Sequence, residues 1–166
     1  MSNNSCRAAI ITVSDKGSRG EREDASGMII REILESAGYE VVSYAILPDE
    51  QHLLEKEMMR LCDEGIAGLI LTTGGTGFSP RDRTPEATAA VAERLVPGIP
   101  EAMRMQSMGV TKRAMLSRAA AAIRGKTLIV NLPGSPKAVR ENLGFIVGEL
   151  KHGLNILTGN DGECAR

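Results

Sequence analysis

The chain has 166 residues, enough for one domain with a substantial core. A hydrophobic fraction of 42% with 25% charged residues is ordinary for a folded chain and excludes a disordered one. A formal charge of -1, with two Tyr, two Phe and no Trp, gives neither a general attraction for nucleic acid or membrane nor a base-stacking platform.

The polar N-terminus leads into Ala8-Ala9-Ile10-Ile11-Thr12-Val13, a continuous apolar run of the kind a covered central strand takes. Ser14 to Asp24 is polar and charged and reads as a loop. Ile30, Ile33, Leu34 and Ala37 then mark one face of a helix that Gly38 stops. A second strand, Val41 to Leu47, leads into Pro48-Asp49. Leu54, Met58 and Leu61 give the inward face of the next helix, closed by Gly65. Ile66 to Leu71 is the third strand. The glycine loop Thr72-Thr73-Gly74-Gly75-Thr76-Gly77 follows, and Thr84-Pro85 opens a helix expected to reach about Leu95.

Pro97-Gly98-Ile99-Pro100 breaks the chain, and Glu101 to Met108 reads as a short helix whose methionines fill core space. Ala119 to Ile123 suits helix or strand equally. Thr127 to Leu132 is a strand, and Ser135 caps a helix with Pro136 at its first position and an apolar face at Val139, Leu143, Ile146, Val147 and Leu150. After Gly153 no periodicity is visible. Strand–helix alternation with short connections specifies an α/β fold: a mostly parallel sheet covered by helices on both faces, in a single domain spanning 1–166 with flexible ends at 1–6 and 160–166.

Several function classes lack their motifs. Ser14 to Gly20 is not a dinucleotide fingerprint, there is no nucleophile elbow, and His52 and His152 lack partners at zinc-ligand spacing. Gly125-Lys126-Thr127 precedes a strand, whereas a P-loop follows one. Cys6, Cys62 and Cys164 are odd in number and far apart, which fits a reducing compartment, hence a cytoplasmic reading. No apolar stretch is long enough to span a membrane.

Loops that follow parallel strands share one edge of the sheet, where open α/β sheets bind ligands. They bring together Ser14 and Asp15, Pro48 and Asp49, Gly74 to Asp82, and Pro133 to Pro136. Glycines admit a ligand close to the backbone, and Thr72, Thr73 and Thr76 add hydroxyls. Arg81-Asp82-Arg83 surrounds one carboxylate with two cations. Asp49 and Asp82 could together hold Mg2+ against a triphosphate; taken singly, Asp49 could cap a helix and Asp82 could pair with a neighbouring arginine. Asp15 could pair with Lys16 or contact a ligand.

At this point the chain resembles the molybdopterin adenylyltransferase family of molybdenum cofactor biosynthesis, which is related to one domain of gephyrin. The resemblance rests on Ile11-Thr12-Val13-Ser14-Asp15, Leu47-Pro48-Asp49-Glu50, Thr73-Gly74-Gly75-Thr76-Gly77 through Thr84-Pro85-Glu86-Ala87-Thr88, and Asn131-Leu132-Pro133-Gly134-Ser135-Pro136. It implies a three-layer αβα molybdopterin-binding fold and an Mg2+-dependent reaction of ATP with molybdopterin. Asp49 and Asp82 would be catalytic and serve the metal. Ser14, Gly74, Gly75 and Thr76 would form the nucleotide and pterin-phosphate cradle, with Pro133, Gly134 and Ser135 lining the site. It also implies a homo-oligomer, commonly a trimer and in some relatives a hexamer, with a downstream molybdate-insertion protein as a candidate partner. Related modules bind molybdopterin without adenylylating it, and the motifs alone leave that alternative open. Arg83 stands where many relatives carry a smaller apolar residue.

Overall fold

A six-stranded sheet of order β2-β1-β3-β6-β5-β4 organises the computed structural model, which describes residues 4–160. Its strands are β1 (Arg7–Val13), β2 (Glu40–Leu47), β3 (Leu69–Thr73), β4 (Arg94–Leu95), β5 (Ala121–Arg124) and β6 (Thr127–Leu132). The first four in spatial order are parallel, and β5 and β4 continue the sheet antiparallel. Six helices accompany them: α1 (Asp15–Ser18), α2 (Ala25–Ser36), α3 (Gln51–Asp63), α4 (Thr84–Val91), α5 (Gly98–Met108) and α6 (Pro136–Thr158).

Side chains alternate across each strand, so the sheet is buried on both faces. Ala8, Ile10, Leu69, Leu71, Leu128 and Val130 face Ile30 and Leu34 of α2, Met103 of α5, and Val139, Leu143 and Leu150 of α6. Ala9, Ile11, Ile70 and Ile129 face Leu54, Met58 and Leu61 of α3 and Ala87 and Val91 of α4. This is the three-layer αβα arrangement with a mostly parallel sheet. Because β1 lies between β2 and β3, the chain winds first to one side and then to the other. The resulting crevice opens between the carboxyl ends of β1 and β3.

Several expected boundaries are corrected. The third strand runs Leu69–Thr73 rather than from Ile66 to Leu71, so Thr72 and Thr73 belong to the sheet, opposite Asn131 and Leu132. The polar loop after β1 contains one helical turn, α1, capped by Ser14. The helix expected to reach Leu95 stops at Val91, and Arg94–Leu95 forms edge strand β4. Pro97 to Pro100 does not break the chain. Helix α5 starts at Gly98, and Pro100 sits in a first turn whose N–H groups have no helical acceptor. Met103 is core, but Met105 and Met108 are exposed at 74% and 38%, so core filling describes only the first. The ambiguous segment resolves as strand β5, and α6 continues past Gly153 to Thr158. Asn4–Cys6 forms a 3-10 turn near α6; residues 1–3 and 161–166, including Cys164, lie outside the described residues. Among the described residues no helix is long and apolar enough to cross a membrane.

Candidate active site

The crevice at the β1/β3 edge holds a cavity of about 520 Å3. Val13 and Ser14 line it from the first loop, Thr73 and Gly74 from the glycine loop, and Gly134, Ser135 and Pro136 from the loop after β6. Its remaining wall is Arg22 to Ser26, at the start of α2. The loops are tied by one backbone bond and two hydroxyl-to-carbonyl bonds. Gly74 N donates to Leu132 O, Thr73 Oγ1 donates to Pro133 O at 2.7 Å, and Ser26 Oγ donates to Gly134 O at 2.8 Å. A Cβ at Gly134 would stand 3.5 Å from the Cα of Gly74. Gly74 and Gly75 have φ of +94° and +68°, a left-handed conformation that favours glycine. Ser14 Oγ accepts Gly17 N–H and Ser135 Oγ accepts Ala138 N–H, so each hydroxyl caps a helix and keeps its own O–H to donate.

Asp15 and Asp49 lock the first two loops reciprocally. Asp15 N donates to Asp49 Oδ2 and Asp49 N donates to Asp15 Oδ1, both at 3.0 Å. Asp15 pairs with Arg81 rather than Lys16: Arg81 donates to both of its carboxylate oxygens, at 2.8 and 3.1 Å, and to Glu50 at 2.8 Å. Hydrogen bonding from Arg81, then from the Asp49 backbone, holds the Asp15 carboxyl below its usual range. Burial pushes the Asp49 carboxyl upward, and the charges of Asp15 and Asp82 add to the rise. Asp49 is not a helix cap: Glu50 occupies that position in α3, without a side-chain cap bond. Nor does Asp82 pair with an arginine. Its Oδ2 accepts the Ser79 N–H at 3.0 Å, and no ion pair to it exists among the described residues.

The ten sequence-derived site residues therefore separate into three groups. Ser14, Gly74, Gly134 and Ser135 line the main cavity. Asp49 lines a neighbouring hollow of about 400 Å3 with Glu50, Arg81 and Arg83, and Asp82 lines one of about 330 Å3 with Arg83 and Arg118. Asp15 and Pro133 brace the loops through the bonds given above. Gly75 packs against Thr84. Thr76 is 8% exposed and Thr72 is fully buried with its oxygen accepting an Asn131 N–H, and neither lines any of these hollows.

A divalent cation fits the carboxylates. Asp49 Oδ1 and Asp82 Oδ1 accept no hydrogen bond among the described residues, leaving hard oxygen donors of the type Mg2+ takes. No group of three or more His, Cys, Asp or Glu side chains that could hold a metal alone occurs among the described residues. That suits an ion whose coordination is completed by substrate phosphates and water.

Sequence reasoning missed the wall opposite the glycine loop. Asp24 caps α2 through Gly27 N–H at 2.9 Å, while its other oxygen accepts the hydroxyls of Thr12, at 2.6 Å, and Tyr44. Burial and the bond to Asp24 push the Tyr44 phenol up to about 12. A Cβ at Gly27 would collide with this cluster. The available signal was Asp24 standing just before an apolar helical pattern, a cap position.

Residues 9–152 match the family model described as "Probable molybdopterin binding domain". The molybdopterin adenylyltransferase of Helicobacter pylori J99 is 42% identical over 153 residues, covering 91% of this chain and 87% of the relative. That of Escherichia coli K12 is 42% identical over 143 residues, covering 84% and 73%. Among solved structures, the molybdopterin biosynthesis enzyme MoaB from Thermus thermophilus superposes with a TM-score of 0.87 at 49% identity, covering 92% of this chain and 96% of that one. The fold and the loop cluster define an α/β protein with a cavity at the carboxyl edge of its mostly parallel sheet. The chain belongs to the molybdopterin-binding family of molybdenum cofactor biosynthesis.

Proposed function

We propose that this chain catalyses the Mg2+-dependent adenylylation of molybdopterin by ATP, releasing pyrophosphate. The observation that carries the reading is a glycine-walled cavity at the switch point of the sheet, flanked by two carboxylates with unbonded oxygens. Its 42% identity to relatives named molybdopterin adenylyltransferase supports the reaction type.

In this reaction an oxygen of the pterin's terminal phosphate attacks the α-phosphorus of ATP. The bond from that phosphorus to its bridging oxygen breaks, and pyrophosphate leaves. The chain needs no covalent nucleophile. Burial pushes the Cys62 thiol up to about 11, which keeps it protonated and inert at neutral pH.

The chain's contribution is to bind two anions side by side and to neutralise charge at the reacting phosphorus. The backbone at Gly74 and Gly134 lets phosphate oxygens approach closely. Ser14 and Ser135 donate their hydroxyl hydrogens, and the N-terminus of the 23-residue α6 turns its positive dipole toward the cavity. Arg22 in the wall adds a positive charge. Asp49 and Asp82 would hold Mg2+, which supplies Lewis-acid neutralisation of the triphosphate when bound.

The working unit is a trimer in the cytoplasm. An apolar groove of about 660 Å3 between α5 and α6, with Phe145 47% exposed and Leu95 65% exposed beside it, supports a subunit contact.

Purified chain incubated with ATP, Mg2+ and molybdopterin tests the reading. It predicts pyrophosphate release that requires both substrates and the metal. Tight pterin binding with no pyrophosphate would make the chain a binding-only relative.

A further inference from the structure

The loop that carries Asp82 has no regular secondary structure, and its tip from Phe78 to Arg81 is exposed. Within the loop, Ser79 N–H donates to Asp82 Oδ2 and Asp82 N–H donates to Ser79 O, closing a small turn. Within that turn only the exposed Arg81 side chain reaches out, to Asp15 and Glu50 on the neighbouring loops. The carbonyls of Thr76, Gly77 and Asp82 instead converge on one residue from the far side of the chain. Arg118 N–H donates to Thr76 O at 2.9 Å, its Nε to Gly77 O at 2.7 Å, and its Nη2 to Asp82 O at 2.7 Å. Its Nη1 pairs with Glu86 in the first turn of α4. One guanidinium thus pins both ends of the exposed tip and ties it to the following helix.

Arg118 is itself held. It lies in the extended segment before β5, and Arg104 of α5 donates to the carbonyls on either side of it, Ser117 O at 3.3 Å and Ala119 O at 3.1 Å. Asn131, buried in β6, takes the Ala120 N–H at 3.1 Å. A planar fork with five donors suits two carbonyls and a carboxylate at fixed angles. An ammonium on a flexible stem cannot reproduce that arrangement.

We infer that Arg118 is a positioning residue for adenylyl transfer, fixing the Gly77–Asp82 turn so that the Asp82 carboxylate meets the metal-bound triphosphate in one geometry. The inference rests on the reading of Asp82 as a metal-binding carboxylate. Arg118 touches no substrate in this account; it acts through the loop backbone.

The test compares Arg118→Ala and Arg118→Lys with Arg124→Ala. Arg124 makes a comparable set of bonds, to Asp63 and to Val91 O, away from the site. Two readings are taken: amide hydrogen exchange of residues 77–83 in the ligand-free protein, and the Mg2+ concentration giving half-maximal turnover. Losing a group that orients a metal ligand costs roughly 10–100-fold in metal affinity. Arg118→Ala should therefore raise the half-maximal Mg2+ by about tenfold or more, speed exchange in 77–83, and leave KM for the pterin unchanged. Arg118→Lys should fall between it and wild type, and Arg124→Ala should match wild type in both readings. Wild-type exchange in 77–83 or an unchanged Mg2+ response in folded Arg118 variants overturns the inference. If the alanine variant does not fold, the lysine variant decides by the same criteria. A wild-type chain that transfers no adenylyl group overturns the functional reading and this inference with it; failure of the exchange arm alone overturns only the role of Arg118.

Discussion

At the scale of single residues, the two carboxylates differ in what surrounds them, and that difference is measurable. Replacing either by Asn keeps its shape while removing the charge offered to the metal. Asp82→Asn should cut turnover by about two orders of magnitude or more, the size of other lost electrostatic groups, with the melting temperature unchanged. Turnover within about a factor of three of wild type at saturating Mg2+ would contradict that role. Asp49→Asn should lose as much and also leave a signature in stability. Burial raises the Asp49 carboxyl, so the folded state retains its proton to higher pH than the unfolded state does. Wild-type stability therefore declines as pH rises from the unfolded pKa through the raised folded one. The Asn variant has no charge to bury and should melt at or above wild type at pH 7, with the gain vanishing as pH falls below about 4. Thermal melts of both proteins from pH 3 to 7 check the sign. A variant that instead melts well below wild type at pH 7 would make Asp49 a structural residue.

At the scale of elements, the site depends on how the sheet hands the chain to its loops. Gly75 has φ of +68°, and a Cβ there would collide with Thr84. Gly75→Val should therefore weaken pterin and nucleotide binding far more than Leu71→Val, which removes one buried methylene at a cost of about 1 kcal/mol. Titration calorimetry with each variant would decide; an unchanged dissociation constant at Gly75 would mean that the loop is only a turn. Asn131 carries the second element-level prediction. Fully buried, it donates to the hydroxyls of Thr72 and Thr88 and accepts the Ala120 N–H, joining β3, β6, α4 and the segment that holds Arg118. Asn131→Ala removes the acceptor of the buried Ala120 N–H and a donor to each threonine hydroxyl, and should cost about 2–4 kcal/mol in urea unfolding; a loss below about 1 kcal/mol would show that water replaces it. Apolar periodicity made the central strands and α2, α3 and α6 readable in the sequence. It failed where polar residues are buried in the sheet: Thr72 and Thr73 looked like loop because their partners, Asn131 and Pro133, lie 59 and 60 positions away. Strand β5 was ambiguous because Ala-rich segments suit either structure until a neighbouring strand is known. Asp49, Asp82 and the glycines could be named from local motifs. Arg118 and Asp24 could not, because their importance lies in partners that are distant in sequence.

At the scale of the whole molecule, four loops share one edge of the sheet, and an apolar groove lies between α5 and α6, where the proposed trimer would make its contact. Light scattering after size exclusion should give three times the 17.7 kDa of one chain. Phe145→Glu should shift the mass to that of one chain by placing a charge in the contact. A wild-type mass of one chain would refute the oligomer, and six times that mass would point to a hexamer. An isotope label follows the adenylyl group itself. With ATP labelled at the α-phosphate, label should appear in an adenylyl-molybdopterin product in step with pyrophosphate release, γ-label should not enter that product, and Asp82→Asn should slow the transfer by about two orders of magnitude or more. Bound molybdopterin that never acquires α-label in the presence of ATP and Mg2+ would contradict the proposed transfer.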